Sequence, residues 1–451
     1  MSTSRRSSRR ILRRGLALAT GGILALGAAL ATQVAPAAAA DPARNGIVCT
    51  TGGTATKQPV FDLTTRTGYI DLPDGNTAFM YGYSNGFDPF QHPGPVLCVH
   101  EGDVVTVILH NTLKVATSMV FPGQDDVRAD GVPSQPQVET PSGMMTSLAP
   151  GAAAATATTQ GTVTYTFTAN RAGTYLYEAG TDPETQVRMG LFGALIVRPV
   201  DGNGAQHDDQ AYDSTDSKFD ATEEFMVLLS EIDPYQHQAV ERGKTFNITK
   251  YKARYWLING RGYPDSIADN GASWLPNQPY GSLATVQPYS AAHPLSGMAR
   301  YLSVGSEDYP FHPHGNNGLV IGRDGHELKN GDADMSMEKF AINIGPGQTW
   351  DVLFKWYDAE NYGLDASKGQ KPVTVTVPSL ANQVVGTFYS GSPYLGSTQA
   401  LPPGVQTLNQ CGEYYIISHN HALYQITSWG VTMTGPITYM RIEPPTPNTC
   451  G

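Results

Sequence analysis

Two short stretches of this chain hold side chains that can do chemistry together. Tyr309 to Asn316 reads YPFHPHGN and Ser418 to Leu423 reads SHNHAL, so each contains a His-x-His pair. Alternate residues of an extended strand share a face, which sets His312 beside His314 and His419 beside His421, about 6–7 Å apart along each strand. Neutral imidazoles bind copper or zinc, but one pair cannot complete a coordination shell. A lone His-x-His is ordinarily packing or surface. If the fold joins the two pairs, four imidazoles make a metal site. The bland alternative is a hydrogen-bonded cluster of neutral histidines.

Other candidate groups are weaker. Glu178 offers a carboxylate that can supplement imidazole ligands or, if buried near a metal, give up a proton; otherwise it is a rim acid. Met119, Met144, Met145, Met335, Met337 and Met433 are soft donors for copper(I), with core packing or loop filling as the ordinary reading. His92, His100, His110, His207, His237, His293 and His326 lie outside the paired motifs and read as surface or loop residues. Asp324, in GRDG, reads as a turn residue. Asn247 opens an N-glycosylation-type triplet, which the bacterial-type leader argues against. The sequence has no phosphate-cradling glycine loop and no serine nucleophile elbow. Cys49, Cys98, Cys411 and Cys450 form no Cys-x-x-Cys pair, which excludes a zinc ribbon. In an exported chain they imply two disulfides, with three pairings possible.

The elements that must hold these groups read as β. Gly, Pro and Tyr are abundant, helical periodicity is scarce, and DVVTVILHNTL, TVTYTFTA, GALIVRPV, ARYWLING and ITYMRIEPP are strand-like. DGNGAQHDDQAYDSTDSKFDATEE is polar and acidic, so residues 201–221 read as a linker between halves at 45–200 and 222–447. TSMVFPG (Thr117 to Gly123) and YPFHPHG (Tyr309 to Gly315) have equal length, and AGTYLYEAG has a counterpart in CGEYYIISHNH. A duplicated β-sandwich explains both pairs. Residues 360–410 read as a long inserted loop.

Residues 1–40 read as an export signal: six arginines, a Gly/Ala-rich apolar core and APAAAA before Asp41. SRRILRR resembles a twin-arginine signal, which implies a secreted, periplasmic or cell-wall location. Removing that segment takes the formal charge from −11 to −17. A surface so acidic argues against nucleic acid and anionic lipid as partners. No other apolar run approaches the ~20 residues of a membrane span, so no membrane insertion is expected.

The ordered motifs resemble those of the multicopper oxidases, through GPVLCVHEGDVVTVILHNTL, GTYLYEAGTDPETQVRMGLFGALIV, YPFHPHGN, IGPGQTWDVLF and YYIISHNHAL. The resemblance implies an all-β protein of two Greek-key cupredoxin-like β-sandwich domains with copper between them. By the family pattern His312 serves a mononuclear position, and His314, His419 and His421 serve a coupled pair. The partner motifs of the first half are changed: Val120 and Pro122 replace one histidine pair, and Glu178 and Gly180 the other. The blue-copper position is lost, because its cysteine falls on Asn420 and its histidines on Tyr309 and Gln425. Met433 stands near the place of the axial methionine. The resemblance thus implies a copper-dependent oxidoreductase without a blue site, taking a small-molecule or metal-ion reductant and dioxygen. The competing reading is a copper-binding or structural module without turnover. Two-domain relatives are often trimers, so a homo-oligomer is implied by analogy.

Overall fold

The computed structural model describes residues 45–53, 57–289, 291–315, 317–356 and 414–443. Residues 1–40, read as an export signal, residues 360–410, read as an inserted loop, and Cys411 and Cys450 lie outside the described residues. Among the described residues, strands dominate and the helices are short, the longest being Pro234–Glu241.

Each half builds two sheets, and one of them keeps the same strand order in both halves. In the first half, one sheet runs Thr77–Asn85, Val60–Asp71, Val104–Asn111, Gly161–Thr168, Arg128–Ala129, Val132–Pro133. Its counterpart in the second half runs Tyr255–Ile258, Phe219–Ile232, Ser296–Ser303, Thr349–Phe354, Gly318–Arg323, His326–Glu327. Corresponding neighbours keep the same sense: Val60–Asp71 is parallel to Val104–Asn111, as Phe219–Ile232 is to Ser296–Ser303. The facing sheets run Cys49–Thr50, Val96–His100, Phe192–Arg198, Gly173–Ala179, Met119–Val120, and Ala284–Val286, Ile437–Ile442, Tyr414–Asn420, Tyr309–Pro313, Ile342–Ile344. Parallel neighbours cannot be joined by a hairpin, so the chain passes from one sheet to the other between them.

Side-chain alternation fills each sandwich. In the first half Val105, Val107 and Leu109 meet Leu97, Val99 and Leu195; in the second, Val227, Leu229 and Tyr301 meet Ile416, Met440 and Ile442. The strand Phe219–Ile232 breaks the half-exposed pattern, being buried continuously from Glu223 onward. Phe225, Val227 and Leu229 face their own core, whereas Met226 and Leu228 enter the core of the first half. A strand covered on both faces loses its polar alternation. The run FMVLL therefore records the contact between the halves. Residues 42–451 form one unit.

Segment 201–221 is folded against the second half. Ala211, Tyr212 and Phe219 join Met298, Ile321 and Leu353 in an apolar cluster, and Tyr212 Oη donates to Asp351 at 2.5 Å. A buried ionic network lies beside it. Arg198 pairs with Glu224 at 2.6 Å, and Arg300 Nε pairs with the same carboxylate at 2.5 Å. Arg300 Nη1 also bonds Thr174 Oγ1 at 2.8 Å. Burial alone would raise the Glu224 carboxyl, yet Arg300 and Arg198 hold it below its ordinary value. Near the chain start, Cys49 and Cys98 form a disulfide that ties the first edge strand to its parallel neighbour.

Candidate metal centre

The two His-x-His stretches lie on neighbouring antiparallel strands, Tyr309–Pro313 and Tyr414–Asn420, with His312 directly opposite His419. Tyr309, Phe311 and Pro313 point into the core, so the alternation sends His312 to the other face. Past the strand ends, His314 N–H donates to Ile417 O at 3.0 Å and His421 N–H to Pro310 O at 2.7 Å, which holds both extensions in register. Gly315 follows at φ +75°, a left-handed turn that a β-branched or bulky residue would resist. The four imidazoles converge. Ring centroids are 4.7 Å apart for His312 and His314, 5.1 Å for His314 and His419, and 5.3 Å for His312 and His421. His419 and His421 stack at 5.5 Å.

Backbone carbonyls orient two of the rings. His312 Nδ1 donates to Phe340 O at 2.6 Å, and His419 Nδ1 donates to Asn420 O at 2.8 Å. Because a carbonyl only accepts, Nδ1 carries the proton in both rings, and each Nε2 keeps its lone pair. His314 Nε2 stands 3.0 Å from His419 Nε2 and supplies the shared proton. Burial first, then His419, His312 and His421, pushes His314 down to about 4. His419 is lowered as well, by burial and by His312 and His421. Both rings are neutral at neutral pH. Among the described residues, no group of three or more His, Cys, Asp or Glu already stands in a metal-coordinating arrangement. The rings pack on one another, and a common ion would require them to rotate apart.

The first half contains the same backbone with different side chains. Val120 lies opposite Glu178 as His312 lies opposite His419, and Gly180 N–H donates to Ser118 O at 3.1 Å as His421 does to Pro310. Val120, Pro122, Glu178 and Gly180 therefore occupy the positions of His312, His314, His419 and His421. Gly180 also lacks room for a side chain, since a Cβ there would lie 2.8 Å from Val120 Cγ1 and 2.9 Å from Ser118 Oγ. Glu178 is partly buried, and burial raises its carboxyl. Among the described hydrogen bonds and ion pairs, none joins it to the four histidines.

The three residues at the blue-copper positions are buried in hydrogen bonds. Asn420 Nδ2 donates to Gln425 Oε1, and Gln425 Nε2 donates to Glu307 Oε2 at 2.7 Å and Asp308 O at 3.2 Å. Tyr309 Oη donates to Glu231, whose carboxyl is raised by burial against the opposing pull of Tyr309 and the Ser306 N–H. Trp256 Nε1 donates to Glu307 at 3.0 Å. Sequence reading passed over Glu231, Glu307 and Trp256, because each becomes a partner only when three separate segments meet.

Two further histidines correct the expectation from sequence. His92 and His237 are buried, with His92 shifted down to about 3 and His237 to about 4, in each case chiefly by burial. His92 packs edge-on against Phe192 at 5.2 Å. Nothing in their local sequence marks burial, since the covering elements come from elsewhere in the chain. His293 and His326 are exposed as expected, and Asp324 turns the chain at φ +52°. Met119 belongs to the core, while Met144, Met145, Met335, Met337 and Met433 are exposed.

A family model described as multicopper oxidase matches residues 89–149. A multicopper oxidase of Cercospora beticola, CTB12, is 32% identical over 111 residues, which are 24% of this chain and 14% of that protein. The sequence match to multicopper oxidases thus spans part of this chain and a small share of that relative. Two solved structures share the fold across most of both chains. A blue copper oxidase from Nitrosomonas europaea is 17% identical with a TM-score of 0.52, covering 85% of this chain and 86% of that one. The multicopper oxidase mgLAC is 17% identical with a TM-score of 0.51, covering 87% and 88%. The family match falls within the first half and includes Val120 and Pro122.

Proposed function

We propose that this chain is an exported copper oxidoreductase that holds copper through His312, His314, His419 and His421, where the two halves meet, and has no blue-copper centre. The observation that carries the reading is the His312–His419 register, which gathers four imidazoles with ring centroids 4.7–5.9 Å apart. The donor set fits the metal. Four neutral imidazoles would suit copper or zinc, once the rings open from the His314–His419 hydrogen bond. Carbonyl-anchored Nδ1 protons fix the rings and leave Nε2 as the ligating atom, the usual outer support of a metal-bound histidine.

Copper held there would supply one-electron chemistry between a small-molecule or metal-ion reductant and dioxygen. The chain's own part is to keep the imidazoles neutral and aimed, through burial and the carbonyls of Phe340 and Asn420. Glu178, raised by burial, is the candidate proton donor if the opposed first-half strands reach the site. Asn420, Gln425 and Tyr309 offer no thiolate, so no strong copper–sulfur absorption is expected. Export through a twin-arginine-type signal and assembly into a homo-oligomer complete the reading.

The second reading, copper binding without turnover, is favoured by Val120 and Gly180 standing where the first half would supply imidazoles. Metal analysis and electron paramagnetic resonance of copper-loaded mature protein test the site. The proposal expects stoichiometric copper with nitrogen hyperfine structure and no intense visible band. Oxidation of a phenol or a reduced metal ion by that sample separates enzyme from binding protein. Loss of all copper on gel filtration would overturn the site, and an intense blue band would overturn the assignment of Asn420.

A further inference from the structure

Seven asparagines of this chain are followed by glycine, at positions 45, 85, 203, 259, 270, 317 and 330. Glycine has no side chain to shield its nitrogen, so in each pair that nitrogen can approach the asparagine amide. The fold hinders six of the seven. Asn259 and Asn270 are buried with their amides held: Asn259 Nδ2 donates to Met226 O at 2.9 Å and Gly281 O at 2.8 Å, and Asn270 Nδ2 to Gly46 O at 3.0 Å. Asn45 Nδ2 donates to Thr285 Oγ1 at 3.1 Å. After Asn85 and Asn203 the attacking nitrogen is engaged, since Gly86 N–H donates to Asp62 O at 2.7 Å and Gly204 N–H to Asp201 O at 2.8 Å. Asn317 precedes Gly318, which is buried in a strand and paired on both sides, with Lys339 and Phe354.

Asn330 differs on each count. It ends the strand Lys329–Asn330, where a hairpin turns back into Ala333–Asp334. Asn330 and Gly331 are both exposed, and Gly331 opens the turn at φ +60°. Among the described hydrogen bonds none holds the Asn330 amide and none engages the Gly331 N–H. Two ladder pairs and one bond from Met335 N–H to Leu328 O close the hairpin, and so short a ribbon opens readily.

We propose that Asn330 is a site of spontaneous deamidation, with water as the co-reactant. The Gly331 nitrogen loses its proton to base and attacks Asn330 Cγ. A C–N bond forms, the Cγ–Nδ2 bond breaks, and ammonia leaves. Water then opens the five-membered imide at either carbonyl, giving an aspartyl or an isoaspartyl residue at position 330. No electrons are transferred, and the net change is –NH2 for –OH. A carboxylate thereby arises next in sequence to Lys329, whose ammonium already serves Asp216 at 3.3 Å and Glu327 at 3.2 Å. The isoaspartyl form also adds a methylene to the main chain, which breaks the register of Asn330 with Ala333.

The reaction involves none of the four histidines, so the test needs no copper. The purified chain is incubated in mildly alkaline buffer, folded or in urea, then digested for peptide mass analysis. Each event adds about 1 Da and one negative charge. In the folded chain, conversion at Asn330 should be at least tenfold faster than at any of the other six, because their hydrogen bonds or burial must first be undone. In urea that lead should vanish. The first acidic form on ion exchange should be absent from Asn330→Gln, whose longer amide would have to close a six-membered ring. Faster conversion at another of the seven in the folded chain would overturn the proposal. So would an undiminished acidic form in Asn330→Gln, or an equal lead for Asn330 in urea, which would trace the preference to flanking sequence rather than to the fold.

Discussion

His314 and His421 are the proposed ligands whose removal is most informative, because each lies beyond a strand end. Replacing both with Ala removes half of the imidazole donors and should abolish stoichiometric copper binding, measured by metal analysis after dialysis. Glu178→Ala should leave copper content near wild type and change only turnover. His92 and His237 set a different pH response. Their folded values, about 3 and about 4, lie below the ordinary 6.5, so the unfolded chain binds more protons between those limits. Stability from keeping them neutral is therefore fully present above pH ~6.5 and is lost as pH falls toward 4 and then 3, at about 1.4 kcal/mol per pH unit per histidine. Urea unfolding at pH 7 and pH 5 should show the loss, and His92→Gln should flatten the slope.

Matching strand positions carry four imidazoles in the second half and none in the first. The backbone bond from residue 180 to Ser118 matches that from His421 to Pro310, but Val120 and Ser118 close on the space above Gly180. Overpacking a well-filled site costs typically 1–3 kcal/mol, so Gly180→Ala should lower the thermal midpoint. A wild-type midpoint would show that Val120 yields easily. The quoted heptads TSMVFPG and YPFHPHG made this correspondence legible from sequence, as did AGTYLYEAG and YYIISHNH. What they could not give was the pairing partner. Register between residues more than a hundred positions apart depends on which sheet each strand joins.

Across the whole molecule, the halves are locked by apolar and ionic contacts together. Met226 and Leu228 cross into the first core, and Arg300 links Glu224 and Asp351 while bonding Thr174 of the first half. Removing one member of a buried charged network leaves the others unpaired and costs on the order of 3–5 kcal/mol. Arg300→Ala should therefore lower the urea midpoint strongly, and a loss under about 1 kcal/mol would mean that water enters and solvates Glu224 and Asp351. Segment 201–221 reads as polar linker because acids dominate it, yet Tyr212 and Phe219 anchor it to the second half. Two buried aromatics outweigh a solvated composition when a neighbouring sheet offers them a surface.

The sequence by itself determined the β class, the matching stretches of the two halves and the two His-x-His pairs, because strand alternation and residue type are local properties. Tertiary structure decided that the histidines form one cluster, because His312 and His419 meet only through the pairing of two strands 105 residues apart from His314 to His419. It also decided that Asn420 Nδ2 donates to Gln425 while Asn420 Oδ1 is buried without a partner among the described residues, and that His92 and His237 are buried. Burial and hydrogen-bond partners are properties of what surrounds a residue in space. For each of these groups that surrounding comes from segments distant in the chain.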